Sequence, residues 1–250
     1  MLDATEPIPG IARVLAPNPS AMTLEGTNTW VVGGWVVDPG PAVDSHVAAV
    51  KALAEPLEGV VLTHSHADHS GAAPLLGVEA RVPRGGERVG PFEAIATPGH
   101  SADSVCLLHG KVLFTGDTVL GAGSVFIAPG EGSLKAYLDS LSSLLELELE
   151  AICPGHGPVV FSPHDKLREY IEHRLERERL VLEALAAGMR TREELLDRAW
   201  AEVDFAAAPI LRHAAGASLA AHLEKLAAED RVPEGVEAIA FSAGFPHEDQ

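Results

Sequence analysis

Three histidines and an aspartate stand within six residues in His64-Ser65-His66-Ala67-Asp68-His69. Imidazole and carboxylate are the groups that Zn²⁺ and its neighbours in the first transition row take as ligands, and a catalytic site needs them clustered with room left for water. Upstream, Gly59-Val60-Val61-Leu62-Thr63 is a continuous apolar, β-branched run, which predicts a buried strand delivering this loop to one end of a sheet; Ser70-Gly71 then break the pattern. Three later segments are built alike: Thr97-Pro98-Gly99-His100, Phe114-Thr115-Gly116-Asp117 and Cys153-Pro154-Gly155-His156-Gly157. Each sets a His or Asp directly after a glycine, where the backbone can turn sharply and present the side chain at a sheet's end. The four pieces carry His64, His66, Asp68, His69, His100, Asp117 and His156 as candidate site residues.

A chain of 250 residues, 46% hydrophobic, can bury a sizeable core and allows one large domain with a small appendage. No run approaches the ~20 apolar residues of a membrane span. Met1-Leu2-Asp3-Ala4-Thr5-Glu6-Pro7 lacks the basic and apolar regions of a signal peptide, so a cytoplasmic protein away from membranes is expected. Cys106 and Cys153 are the only cysteines, too few for a disulfide framework, and are expected as small buried residues at strand ends. The net charge of −18 argues against strong, nonspecific binding of duplex DNA, which rewards a basic face. It leaves room for a local basic groove.

The elements that must position these residues read as alternating strands and helices. Residues 29–38 predict a hairpin about Gly33-Gly34, suited to the start of a sheet. Val43, Val47, Val50 and Leu53 fall at helical spacing. Strands are expected around Val82, from Phe92 to Thr97, from Val105 to Leu108 and from Val112 to Thr115, then a helix from Ser133 to Leu147 and a short strand at Ala151-Ile152-Cys153. A boundary follows at residue 162, giving domains 1–162 and 163–250. Ser162-Pro163-His164-Asp165 is a helix start, with an N-cap serine and proline at the first helical position. That helix should reach Leu185, with Leu167, Ile171, Leu175, Leu182 and Leu185 as its apolar stripe and its many Glu and Arg residues as a solvated face. Thr191-Arg192-Glu193-Glu194 is a capping box for a helix ending near Trp200, a further helix spans Ala215 to Glu229, and Arg231 to Phe241 is expected as a small β wing. Nothing in the pattern specifies an oligomeric state.

The four site pieces in this order resemble the metallo-β-lactamase-fold hydrolase superfamily over the first 160 residues. The resemblance implies an α/β fold, the αβ/βα sandwich, with two divalent metal ions at one edge of its paired sheets. It implies that His64, His66 and His100 hold one metal, that Asp68, His69 and His156 hold the other, and that Asp117 bridges them; zinc is expected, with manganese or iron as alternatives. True zinc β-lactamases lack that bridging aspartate and many use a cysteine ligand, so antibiotic hydrolysis is not expected. The absence of a following flavodoxin domain speaks against a flavodiiron redox role.

Two more segments narrow the resemblance. The stretch from Asn18 to Trp30, containing Thr23-Leu24-Glu25-Gly26-Thr27-Asn28-Thr29, resembles the N-terminal signature of the beta-lactamase-like protein 2 family, and Tyr170-Ile171-Glu172-His173-Arg174 resembles its helix after the last ligand. Leu219 to Glu229 resembles the second helix of the winged-helix-like domain those proteins append. This implies a metal-dependent endoribonuclease acting on single-stranded RNA. The tail departs from the family, with Glu224, Glu229 and Asp230 where lysines or glycine are usual. The alternative is a thioester hydrolase resembling glyoxalase II, which uses the same ligands on a small hydroxyacyl-thiol substrate. A third possibility from another class is a module that binds nucleic acid or a partner over a vestigial metal site.

Chemically, a bridged metal pair lowers the pKa of bound water to yield a bridging hydroxide and polarises the oxygen under attack. Asp117 would fix the spacing of the metals and Asp68 would orient the hydroxide or take its proton. Thr63, Ser101, Asp103 and Thr115 are the nearest candidates to orient the imidazoles. His46, His109, His164, His213, His222 and His247 are expected at ordinary surface positions, whereas His173 could face the cleft and meet substrate.

Overall fold

The computed structural model describes residues 4–205 and 209–236. Its first sheet places six strands side by side in chain order: β1 (Ala4–Ile8), β2 (Ile11–Leu15), β3 (Asn28–Val32), β4 (Trp35–Val37), β5 (Gly59–Val61) and β6 (Ala80–Arg81). Pairing is antiparallel as far as β4 and parallel beyond it. Parallel neighbours need a crossover, supplied by α1 (Asp44–Leu53) and then by the short α2 (Ala67–Ser70) and α3 (Ala73–Leu76). The second sheet runs β11 (Ala151–Pro154), β10 (Val112–Gly116), β9 (Val105–His109), β8 (Phe92–Ala96), β7 (Arg88–Val89), with α4 (Leu134–Leu144) crossing between the parallel pair β10 and β11.

Side-chain alternation along β3 shows how the layers form. Trp30 and Val32 face the second sheet and meet Phe92, Leu107 and Phe114, while Val31 joins Val36 and Val60 beneath Val47 and Val50 of α1. Both faces of β3 are covered, and all five of its residues are buried. On the far face of the second sheet, Cys106, Leu113 and Ile152 pack against Tyr137, Leu141 and Leu144 of α4 and against Leu167 and Tyr170 of α5 (Pro163–Ala186). The result is the helix–sheet–sheet–helix sandwich expected from the resemblance.

Beyond the sandwich, α5 enters a second core. There Val181 and Leu185 meet Leu195 and Leu196 of α6 (Arg192–Ala199), Trp200, and Leu219, Leu223 and Leu226 of α7 (Pro209–Ala228). The Thr191 capping box forms as expected, with Glu194 answering the cap. Residues 231–236 contain no strand, and the remainder of the expected wing, 237–241, lies outside the described residues. Among the described residues no helix is long and apolar enough to cross a membrane.

The structure corrects several local expectations. The hairpin at 29–38 sits in the middle of its sheet, because β1 and β2 form an earlier hairpin ahead of it. Ser162 starts α5 without a side-chain cap bond. The buried line of α5 is Leu167, Tyr170, Arg174, Glu178, Val181 and Leu185, whereas Leu175 is 48% exposed. Arg174 and Glu178 therefore leave the solvated face. Glu178 is taken in by Lys225 at 2.7 Å and Arg231 at 3.1 Å, which compensates the cost of burying its charge. Both cysteines are buried as expected. His46 and His222 are buried rather than at the surface.

Candidate metal centre

The loop after β5 is held from beneath by Asp38, at the end of β4. Thr63 donates its backbone N–H to Asp38 Oδ1 and its hydroxyl to Asp38 Oδ2, each at 2.7 Å, while His69 Nδ1 lies 2.9 Å from Asp38 Oδ2. Asp38 holds this place with φ +50°, a left-handed conformation that aspartate tolerates better than most residues. One turn of helix, α2, then sets Asp68 and His69 side by side.

The residues from the four pieces converge into two adjoining groups. His64, His66, His100 and Asp117 form one, and Asp68, His69 and His156 the other, with ligand atoms in each within 4.8 Å of one another. Asp117 faces both. Its Oδ1 lies 3.3 Å from Nε2 of both His69 and His156, and its Oδ2 lies 3.7 Å from His100 Nε2. Asp68 Oδ2 closes the second group, 3.3 Å from His156 Nε2 and 3.5 Å from His69 Nε2. Asp38, His64 and His69 also lie within 4.8 Å, but Asp38 has both oxygens committed to Thr63 and His69 and acts as a support.

Hydrogen bonds fix which ring nitrogen each imidazole offers. A carbonyl only accepts, so His100 Nδ1, 2.8 Å from Phe126 O, and His156 Nδ1, 3.2 Å from Gly26 O, carry the proton and turn Nε2 inward. Thr63 spends its hydroxyl proton on Asp38, so its oxygen accepts from His64 Nδ1 at 3.0 Å. His64 Nε2 and Asp117 Oδ1 are then buried with no hydrogen-bond partner among the described residues. His66 Nδ1 meets His100 Nε2 at 3.1 Å. Inward lone pairs, an orphaned ring nitrogen and a carboxylate oxygen whose contacts are the 3.3 Å approaches of His69 and His156 fit divalent cations.

The electrostatics agree with that fit. Burial, followed by the His69 charge, pushes His64 down to about 2, and burial also lowers His100. In the other group, carboxylates overcome burial: Asp117 and Asp38 raise His69 well above its ordinary value, and Asp117 with Asp68 raises His156 to about 9. Against the same burial, His69 and His156 hold Asp117 well below the carboxylate range, and His156 and His69 bring Asp68 down to about 2. Without a cation, protons on His69 and His156 occupy the positive end of the site.

Glycine makes the convergence possible. A Cβ on Gly155 would stand 2.5 Å from His69 Cε1 and 2.8 Å from Asp117 Oδ1, and one on Gly116, at φ +48°, would stand 2.1 Å from Thr63 Oγ1. Gly155→Ala is expected to weaken cation binding about 10- to 100-fold while the fold persists, as disturbance of ligand orientation does elsewhere. Metal titration beside circular dichroism measures both.

The segment resembling the family's N-terminal signature also has a local role. Asn28 Nδ2 donates to Pro154 O at 3.0 Å and Gly157 O at 2.8 Å, and Trp30 Nε1 to Pro154 O at 3.0 Å, pinning the loop that carries His156. Of the four orienting candidates, Thr63 touches a ligand. Thr115 bonds Val119 O instead, and Ser101 donates to Asp103 Oδ1. Asp38 is not among the expected residues; its signal is an acid at a strand end before Pro39-Gly40, with no glycine ahead of it as in the three later pieces. His46 lies behind it, with Nε2 2.9 Å from Thr29 Oγ1 and 3.1 Å from Pro39 O.

A cavity of about 440 Å³ opens beside this His/Asp cluster, reaching His100 and Asp117. Leu24, Leu120, Val125, Phe126, Trp200 and Phe205 make much of its wall, and His173, Arg174 and Arg177 of α5 complete it. His173 lines both this cavity and the groove outside it. Outside, a second groove carries Asp165, Glu169, Glu172, Glu176 and Glu202 against Arg168 and Arg177.

Comparison with known proteins places the chain in a family. Residues 22–90 and 78–156 match the model described as Metallo-beta-lactamase superfamily. The chain is 33% identical over 212 residues to the Beta-lactamase-like protein 2 homolog of Caenorhabditis elegans, covering 70% of each chain. It is 32% identical over 209 residues to the Atrochrysone carboxyl ACP thioesterase of Aspergillus fumigatus, covering 71% of this chain and 65% of that one. In fold it is similar to a Beta-lactamase domain protein from Burkholderia ambifaria, with a TM-score of 0.73 at 18% identity over 91% of this chain and 88% of that one. A metallo-beta-lactamase family protein from Thermus thermophilus gives a TM-score of 0.70 at 20% identity, over 89% of this chain and 95% of that one. A chain with this sandwich, this His/Asp cluster and these matches belongs to the metallo-beta-lactamase superfamily of hydrolases.

Proposed function

We propose that the protein is a dinuclear metal-dependent hydrolase that opens thioesters of apolar acyl groups. The observation that carries this is the cavity at His100 and Asp117, walled by Leu24, Leu120, Val125, Phe126, Trp200 and Phe205. Such a wall rewards burial of hydrocarbon at roughly 25 cal/mol per Å² and gives a polyanion little. Single-stranded RNA, the substrate implied by the family resemblance, calls for a basic track along its backbone. The neighbouring groove instead offers five carboxylates against two arginines, one of which, Arg177, is engaged by Glu202. The relative named as a thioesterase supports the same reading.

Cations held by His64, His66 and His100 and by Asp68, His69 and His156, with Asp117 between, would supply an activated water and polarise the thioester carbonyl. The chain's own groups do the positioning. Asp117 commits one oxygen to each group and sets their spacing. Asp68, more exposed than Asp117 and held ionised, keeps an acceptor to orient a water proton. Phe126 O and Gly26 O hold His100 and His156 by Nδ1, so neither ring can turn as charge moves.

The test compares one metal-loaded sample on an octanoyl thioester of N-acetylcysteamine and on a single-stranded RNA oligomer. Thioester cleavage without RNA cleavage is expected. Cleavage of RNA alone would overturn the substrate assignment, and inertness on both would overturn the hydrolase reading with it.

A further inference from the structure

Arg174 is the one charged residue of the cavity wall whose burial the proposed reaction does not explain. It is 3% exposed, on the inward line of α5. Its guanidinium donates from Nη2 to Val125 O and from Nη1 to Ser218 Oγ at 3.3 Å, and lies over the Tyr137 ring, 5.7 Å from its centroid. Val125 and Ser218 line the cavity, as Arg174 does, so both hydrogen-bond partners of the guanidinium belong to the wall. Among the described residues no carboxylate pairs with it. Charges that act on it come from the Tyr137 and Tyr170 hydroxyls and from Arg177, and the neighbouring His222 is pushed down to about 3 by burial and by Arg174, so it is neutral. Burial also leads in lowering His173, ahead of Arg174 and Arg177.

A buried guanidinium with neutral or cationic surroundings is costly and persists where an anion completes it. Two of the five N–H groups a guanidinium carries are spent on Val125 and Ser218, and the planar fork suits a carboxylate. The position relative to the metal centre is short-range: Arg174 holds the carbonyl of Val125, and His100 holds that of the next residue, Phe126. Two adjacent residues of one irregular segment therefore link the group that would grip an anion to a candidate ligand of the reacting centre.

We infer that the cavity takes an amphiphilic acid, an acyl group with an apolar body and a carboxylate received by Arg174. This deepens the thioester reading, specifying which acyl groups are selected, and Arg174 acts as a specificity-determining residue rather than a participant in bond cleavage. The wall supplies apolar contact and the arginine supplies the one charge-matched contact, so an uncharged analogue of equal shape should bind less well.

Binding without turnover tests this separately from hydrolysis. Calorimetry on the metal-loaded full chain compares 3-phenylpropionate with 3-phenylpropionamide, which differ in charge at nearly constant shape. The native protein is expected to bind the acid at least about tenfold more tightly, the scale of one charge-assisted pair. Arg174→Met should bring the two within about twofold while leaving the amide unchanged, and Arg174→Lys should keep part of the preference. Equal binding of acid and amide by the native protein overturns the proposal. So does a preference that survives Arg174→Met, which would assign the carboxylate to the cations, or an equal loss of both ligands, which would make Arg174 a structural clamp. If Arg174→Met does not fold, the native preference and its reduction in Arg174→Lys decide. A protein that binds the acid through Arg174 yet cleaves no thioester would keep this inference and lose the proposed reaction.

Discussion

Asp117→Asn is expected to lower turnover by at least about 10³-fold, equivalent to ~4 kcal/mol of transition-state stabilisation. Asparagine preserves the shape but removes the negative charge, and it aims an amide donor at a place where His69 and His156 present Nε2 at 3.3 Å, or where His100 presents it at 3.7 Å. Both cation groups suffer from one substitution, because each oxygen of Asp117 serves a different group. Metal analysis should therefore show loss of bound cation beside loss of rate. Asp38→Asn makes the informative contrast: it leaves all seven candidate ligands in place and frees His69 and Thr63, so a smaller loss of about 10- to 100-fold is expected. Unchanged turnover in Asp117→Asn would mean that the reaction occurs elsewhere.

Loading the cations should expel protons, and its advantage to the fold should grow with pH. In the metal-free protein, against burial, the carboxylates of Asp117 and Asp68 raise His156 from 6.5 to about 9, and those of Asp117 and Asp38 raise His69 well above its ordinary value, so both favour the protonated form at neutral pH. A group with a raised folded value contributes stability that is fully present below its unfolded value and is lost as pH rises through the folded one. The His156 contribution to the metal-free fold is thus intact below 6.5 and gone above about 9. Cation binding needs the neutral imidazole, so its competition with protons relaxes over the same interval. About two protons should be released per chain at pH 7, measured by calorimetry in buffers of different ionisation enthalpy. The gap in unfolding temperature between loaded and chelator-treated protein should widen from pH 6.5 to 9. A gap independent of pH, with no proton release, would contradict the assignment of His69 and His156 as ligands.

The candidate ligands were legible because a strand end followed by glycine and a donor is a local pattern, and the β-branched run before His64 does form β5. What supports them was hidden by sequence distance. Asp38 meets Thr63 and His69 across separations of 25 and 31 residues, which no window of periodicity spans. The phase of α5 departs from its apolar stripe for a related reason. Leu175 looked like core and Arg174 like surface, but the sandwich and α7 supply Val125 O and Ser218 to the arginine, so the helix docks one residue over. Isolated histidines on average favour the surface, yet His46 props the Asp38 turn and His222 is buried close enough to Arg174 to feel its charge. Strand β1 escaped notice because Ala4-Thr5-Glu6-Pro7-Ile8 has little apolar alternation and depends on pairing with β2.

Every candidate ligand lies before residue 157, whereas Arg174, Trp200, Phe205 and Ser218 on the cavity wall lie after it. On the proposed reading, the bond-breaking apparatus and about half of the residues lining the substrate chamber are therefore carried by separate, consecutive stretches of gene. Recombination or design that exchanges the helical stretch can change which compound enters while inheriting the reaction intact, and drift within it alters taste before it alters chemistry.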